Sequence, residues 1–159
     1  MPDAAGPSHV IRLEGGEVAV YAPNATAVHV CLFDEKGERE TLRFNLSADG
    51  EGYHRGFAPG LTEGARYGLR VDGPFDPARG HRFDAAKLLV DPLAAEIDRP
   101  FALHLSLFER GADSAAAMPK CVVRAAPGGE TGHARVPWAD TIVYEVNLRG
   151  FSRLRADIP

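Results

Sequence analysis

From residue 17 to residue 73 the chain alternates apolar and polar positions with a period of two. Val18, Val20 and Ala22 fall on one face, and Glu17, Ala19 and Tyr21 fall on the other. Val28, Val30 and Leu32 line up in the next run, which ends in Asp34-Glu35-Lys36-Gly37, a hairpin-type loop. Leu42, Phe44 and Leu46 repeat the pattern before Asp49-Gly50-Glu51-Gly52. Tyr53 and Phe57 share a face across Arg55, and Tyr67, Leu69 and Val71 alternate with Gly68 and Arg70 as far as Asp72-Gly73-Pro74. Short alternating runs, with turn signals roughly every ten residues, predict an all-β antiparallel sandwich over residues 9–73. No helical period competes before residue 85.

Residues 74–136 change character. Pro74, Pro77, Gly80 and Pro92 interrupt an apolar stretch that holds Phe75, Phe83 and Leu88-Leu89-Val90. That combination predicts an irregular connecting segment packed on the sandwich. A helical turn is expected at Leu93–Ile97. Residues 111–118 and 125–135 are linker-like, and Pro119–Val123 between them reads as a short extended segment. Residues 141–146, TIVYEV, follow Pro137-Trp138 and read as a strand buried on both faces, of the kind found in parallel sheets. The sequence supplies no neighbours for such a strand. Residues 137–159 are therefore read as the start of a truncated second domain, whose open edges and apolar surface leave 141–146 to be disordered, to fold back on the sandwich or to self-associate with another copy.

Charge and composition narrow the function classes. A net charge of −4 with a pI near 5.8 argues against nucleic acid as a partner, which would need a basic stripe. No apolar run is long enough for a membrane helix. The first sixteen residues lack the charged and apolar regions of a signal peptide, so a cytoplasmic location is expected. Cys31 and Cys121 each sit beside apolar neighbours and read as buried thiols. The six histidines show no HxxxH spacing and the cysteines no CxxC, so neither a metal site nor a cofactor is expected. Asp72, Asp76, Asp84 and Asp91 lie among Gly and Pro, which favours turn and capping roles over metal ligation.

Three blocks carry a family resemblance. Residues 66–92, RYGLRVDGPFDPARGHRFDAAKLLVDP, closely resemble the end of the N-terminal module of bacterial isoamylase-type glycogen-debranching enzymes. PKCVV (119–123) and PWADTIVYEVNLRGFS (137–152) resemble the same family's approach to its catalytic barrel and that barrel's first strand. All three occur in the family's order and spacing, so the likeness covers residues 9–159. It implies a family 48 carbohydrate-binding module with an immunoglobulin-like sandwich, in front of the first strand of a (β/α)8 barrel of glycoside hydrolase family 13. The implied reaction is retaining hydrolysis of α-1,6 branch linkages in glycogen limit dextrin. Asp84, Ala85 and Leu93 depart from the Asn, Pro and Tyr usual in the family. Asn147 stands where the family has His, which puts a subsite role there in doubt.

Retaining hydrolysis needs two carboxyl groups about 5–5.5 Å apart, carried on different strands of a barrel of roughly 250 residues. At most one such strand lies within the chain. By the resemblance, the catalytic Asp and Glu fall beyond Pro159, and the fragment is expected to be inactive alone. Glu145, Asn147 and Arg149 are the strand-end candidates on the substrate side, with structural roles as the plainer reading. On the sandwich, the candidate carbohydrate-binding residues are Tyr53, His54 and Tyr21, with Phe33 and Phe57 also weighed. The family often carries a Trp where this chain has Tyr53-His54. The sandwich is accordingly read first as a packing partner of the absent barrel and second as a binder of glycogen or another α-glucan. Two rivals stand beside the debranching reading. One is a stand-alone glucan-binding or regulatory module. The other is the front end of a different family 13 enzyme, branching or trehalose-forming.

Overall fold

The computed structural model describes residues 10–12, 16–125, 136–147, 150, 151 and 153. The chain divides into two compact units, residues 1–126 and 127–159, each treated by itself.

Strands in the first unit follow the alternation of the sequence. They are β1 (Val10–Arg12), β2 (Glu17–Tyr21), β3 (Ala27–Phe33), β4 (Glu40–Ala48), β5 (Tyr53–Phe57), β6 (Arg66–Asp72), β7 (Phe75–Asp76), β8 (His81–Arg82), β9 (Glu96–Ile97) and β10 (Cys121–Val122). Apart from the β7–β8 hairpin, they form one curled antiparallel sheet in the order β1-β2-β5-β4-β3-β6-β10-β9. The long β4 makes the curl: Leu42–Leu46 pair with β3, while Ser47 and Ala48 pair with β5. One strand thus serves two layers, as in an immunoglobulin-like sandwich.

Between the layers lie Val18 and Val20 of β2, Val28, Val30 and Leu32 of β3, Leu46 of β4, and Tyr67 and Leu69 of β6. Leu42, on the same pattern, is 54% exposed, so the apolar stripe of β4 reaches the core through Phe44 and Leu46 alone. β3 is buried on its other face as well, where Cys31 and Phe33 meet Leu88, Ala115 and Met118. Residues 84–120, here called the strap, cover the outer surface of β3 and β6. The fit is close, because a Cβ on Gly68 would come within 2.8 Å of Leu88. β10 extends the sheet beyond β6 and adds Cys121 and Val123 to the core. At 93–97 the structure has no helical turn. Glu96–Ile97 pairs instead with Cys121–Val122, because β10 offers an open edge.

The strap has little ladder pairing of its own, so its carbonyls need other donors. Three cations supply them. Arg70, 2% exposed, donates to the carbonyls of Ala85 and Ala86, to Asp113 at 2.9 Å and to Glu40 at 3.2 Å. Lys87 Nζ donates to the carbonyls of Ser106, Glu109 and Ala112. Lys120, fully buried, donates to those of Ala115 and Met118, and its Nζ lies 4.8 Å from the centre of the Phe33 ring. Burial pulls the Lys120 ammonium below its ordinary value. Asp84 and Asp91 complete the turns. Asp84 accepts the N–H groups of Ala86 and Gly111, and Asp91 accepts that of Leu93 and the Tyr67 hydroxyl at 2.8 Å.

In the second unit, Trp138–Asp140 form one 3-10 turn. Residues 141–147 form no ladder, although TIVYEV has the composition of a strand. A doubly buried strand exists only between neighbours, and the described residues give it none. Ile142, Val143 and Tyr144 are exposed.

Arg70→Met removes a buried cation and leaves Glu40, the largely exposed Asp113 and two carbonyls without their donor. The expected loss in urea unfolding is about 3 kcal/mol; a loss below about 1 kcal/mol would show that Arg70 does not hold the strap. Burial opposes ionisation of Asp113 and Glu40, but the Ala115 N–H and Arg70 hold Asp113, and Arg43 and Arg70 hold Glu40, below the ordinary carboxylate range. Groups depressed in this way stabilise the fold above the unfolded value and cease to do so as pH falls through the folded one. The urea midpoint is therefore expected to be flat from about pH 7 to 5 and to fall below about pH 4. The fall should be shallower in Arg70→Met, and equal slopes would contradict the assignment.

Candidate functional site

With the strap on β3 and β6, the outer face of β2 and β5 stays uncovered among the described residues. Strand alternation places Glu17, Ala19 and Tyr21 there from β2, and Tyr53, Arg55 and Phe57 from β5. The register sets Tyr21 opposite Tyr53, Ala19 opposite Arg55 and Glu17 opposite Phe57. The two tyrosine rings lie 5.0 Å apart at 60°. Phe57 at the other end is 59% exposed. The result is a ledge with aromatic rings at both ends and a cation between them.

The turn before β5 shapes one end of this ledge. Gly50 and Gly52 both have positive φ, and a Cβ on Gly52 would sit 2.9 Å from the Tyr21 ring. Glycine is needed there for the backbone and for the tyrosine. Asp49 closes the turn by accepting the N–H groups of Glu51 and Tyr53, and its other oxygen takes Arg55 Nε at 2.9 Å.

His54 does not belong to the ledge. It points into the sandwich at 3% exposure, opposite Val20 and Ala48, with no hydrogen-bond partner on Nδ1. The strand period that exposes Tyr53 and Arg55 turns His54 inward, so it is unavailable as a sugar contact. Phe33 is likewise buried, under Lys120. Of the sandwich candidates, the structure brings Tyr21 and Tyr53 together and withdraws His54. Arg55 and Asp49 escaped the sequence reading, although Arg55 lies two residues from Tyr53 and must share its face.

Glu145 and Asn147 are exposed in the second unit, and the Asn147 carboxamide accepts the Gly150 N–H at 3.0 Å. Arg149 lies outside the described residues. Glu145 has no second carboxylate brought to it by strand pairing, since residues 141–147 form no ladder among the described residues.

Beside Tyr21 the first unit also has a groove of about 440 Å³, lined by Ala22, Val71, Phe83, Leu89 and Pro92 among others. Its lining is mainly apolar; of its charged members, Asp84 and Lys87 are committed to bonds within the strap, which leaves Arg82 at its rim. A sugar needs hydroxyl partners as well as an apolar face, so the ledge suits one better than the groove does. Among the described residues no helix is long and apolar enough to cross a membrane.

Known proteins resemble the chain at two scales. A glycogen debranching enzyme of Yersinia enterocolitica (serotype O:8 / biotype 1B) is 39% identical over 153 residues, or 91% of this chain and 23% of that protein. One from Yersinia pseudotuberculosis serotype IB is 40% identical over 154 residues, with 92% and 23% covered. The chain thus spans less than a quarter of the length of these relatives. Among solved structures, the pullulanase SAP of Group B Streptococcus in complex with maltotetraose superposes with a TM-score of 0.48 at 16% identity, covering 77% of this chain and 15% of that one. The sequence profile of carbohydrate-binding module 48, the isoamylase N-terminal domain, matches residues 7–94, a span running from before β1 to the first residues of the strap. Since that span is more than half of the chain, the chain belongs to the carbohydrate-binding module 48 family.

Proposed function

We propose that the chain serves as the N-terminal module of an enzyme that hydrolyses α-1,6 branch linkages in glycogen or limit dextrin, and that it supplies none of the catalytic carboxylates itself. The observation that carries this reading is the reach of the likeness. Identity near 40% to glycogen debranching enzymes covers over nine-tenths of the chain, including the strap and residues beyond the family profile. A stand-alone binding module would need to share only the sandwich. The chemistry agrees: Glu145 stands on an unpaired segment, whereas retaining hydrolysis requires two carboxyls fixed about 5–5.5 Å apart.

Within that enzyme the sandwich contributes in two ways. Its exposed apolar side chains, Leu103, Leu105 and Phe108 on the strap among them, suit packing against a catalytic barrel. The ledge of Tyr21 and Tyr53 suits contact with an α-glucan, whose pyranose rings present an apolar face to aromatic side chains and a rim of hydroxyls to polar ones. Glycogen or a related α-glucan is therefore the partner, and the cytoplasm, where glycogen is stored, the expected compartment.

Incubating the purified chain with limit dextrin tests the catalytic half of the proposal. No new reducing ends are expected, and their appearance, dependent on Glu145, would overturn it. For the binding half, Tyr21→Ala should weaken retention on a glycogen affinity gel by about tenfold. Unchanged retention would remove the ledge from the account.

A further inference from the structure

The Tyr53 ring does not stand open. The guanidinium carbon of Arg55 lies over it, 4.5 Å from the ring centre. Asp49 holds that guanidinium through the 2.9 Å bond to Nε, and Asp49 is itself fixed by the Glu51 and Tyr53 N–H groups. The residues opposite Arg55 on β2 and β4 are Ala19 and Ser47, both too short to reach across a guanidinium. The Arg55 side chain is therefore placed by Asp49 on one side and by the Tyr53 ring on the other. A pyranose and a guanidinium cannot occupy the same aromatic face.

We propose that Arg55 is the affinity-setting residue of the ledge: an intramolecular cover on Tyr53 that an α-glucan has to displace. The inference rests on the reading of the ledge as a glucan contact and states how tightly that contact binds. The module is weak by construction, because each binding event breaks a cation–π contact and strains an ion pair. Both are exposed interactions of modest strength, so the cover lowers affinity without abolishing it. The ion pair is only partly shielded, with the Arg55 side chain 54% and the Asp49 side chain 24% exposed, and salt screens it. A neutral oligosaccharide brings no charge of its own to screen. Its affinity should consequently rise with ionic strength, the reverse of what salt does to most charged recognition.

Titration of the chain and its variants with maltoheptaose, followed by calorimetry or NMR, tests this. Arg55→Ala should bind about three- to tenfold tighter than the parent. Asp49→Asn should fall between the two, since its remaining oxygen still accepts the Glu51 and Tyr53 N–H groups and the turn survives. Raising NaCl from about 0.05 to 1 M should tighten binding by the parent and leave Arg55→Ala unchanged. Equal or weaker binding by Arg55→Ala, with loss of binding in Tyr21→Ala, would sink the cover and leave the ledge standing. Failure of every variant to bind, Arg55→Ala included, would sink the ledge and the cover together.

Discussion

The structure depends on how a stretch with almost no ladder of its own satisfies its backbone. Residues 84–120 run across the outer face of β3 and β6 with few ladder bonds of their own to complete their carbonyls. Arg70, Lys87 and Lys120 reach into that stretch and donate to the carbonyls of Ala85, Ala86, Ser106, Glu109, Ala112, Ala115 and Met118. Each cation is offset by acceptors or by an aromatic ring, so no buried charge stands alone. A hydrophobic cover could have shielded Cys31 and Phe33 equally well, but it would have left the carbonyls unmet. Cations on flexible stems serve a backbone of irregular shape because they do not require the regular spacing of a strand.

Closing one face decides what the other can do. With β3 and β6 covered, the outer surface of β2 and β5 is a sheet face that stays open to a ligand among the described residues. The family profile ends at residue 94, while the compact unit continues to residue 126 through β9 and β10. The strap is thus shared with the debranching enzymes and lies largely outside the part that defines the family. This division suits a module that binds through one face and packs through the other. It also makes sense of the apolar side chains that the strap displays while its backbone is held rigid from within.

Much of the fold was legible because the alternation of Val18/Val20, Val28/Val30/Leu32 and Tyr67/Leu69 reports burial directly. Of the short strands that follow β8, Cys121–Val122 was legible as part of the extended segment 119–123, whereas Glu96–Ile97 was not. Both are two-residue pairings without periodicity: the open edge of β6 fixes Cys121–Val122, and the edge of β10 in turn fixes Glu96–Ile97. The role of Arg70 was hidden for a related reason. Alternation puts it on the outer face of β6, which reads as solvent until the strap is laid over it. The site was half legible: aromatic residues pointed to Tyr21 and Tyr53, but a Tyr-His pair does not reveal which of its members turns inward. Pairing of Tyr21 with Tyr53 resolves that, since neighbours on β5 must alternate and His54 takes the core side. TIVYEV has the composition of a strand and, as expected of one without neighbours, forms no ladder among the described residues.

Backbone amide mapping of the chain with and without maltoheptaose, by NMR shifts or hydrogen exchange, tests most directly the claim that one face is closed and the other receives glucan. The account predicts changes along Glu17–Tyr21 and Tyr53–Phe57, with none at Leu88–Val90 or Ser114–Val122. Changes concentrated in the strap or in the groove beside Phe83, with β2 and β5 silent, would contradict it.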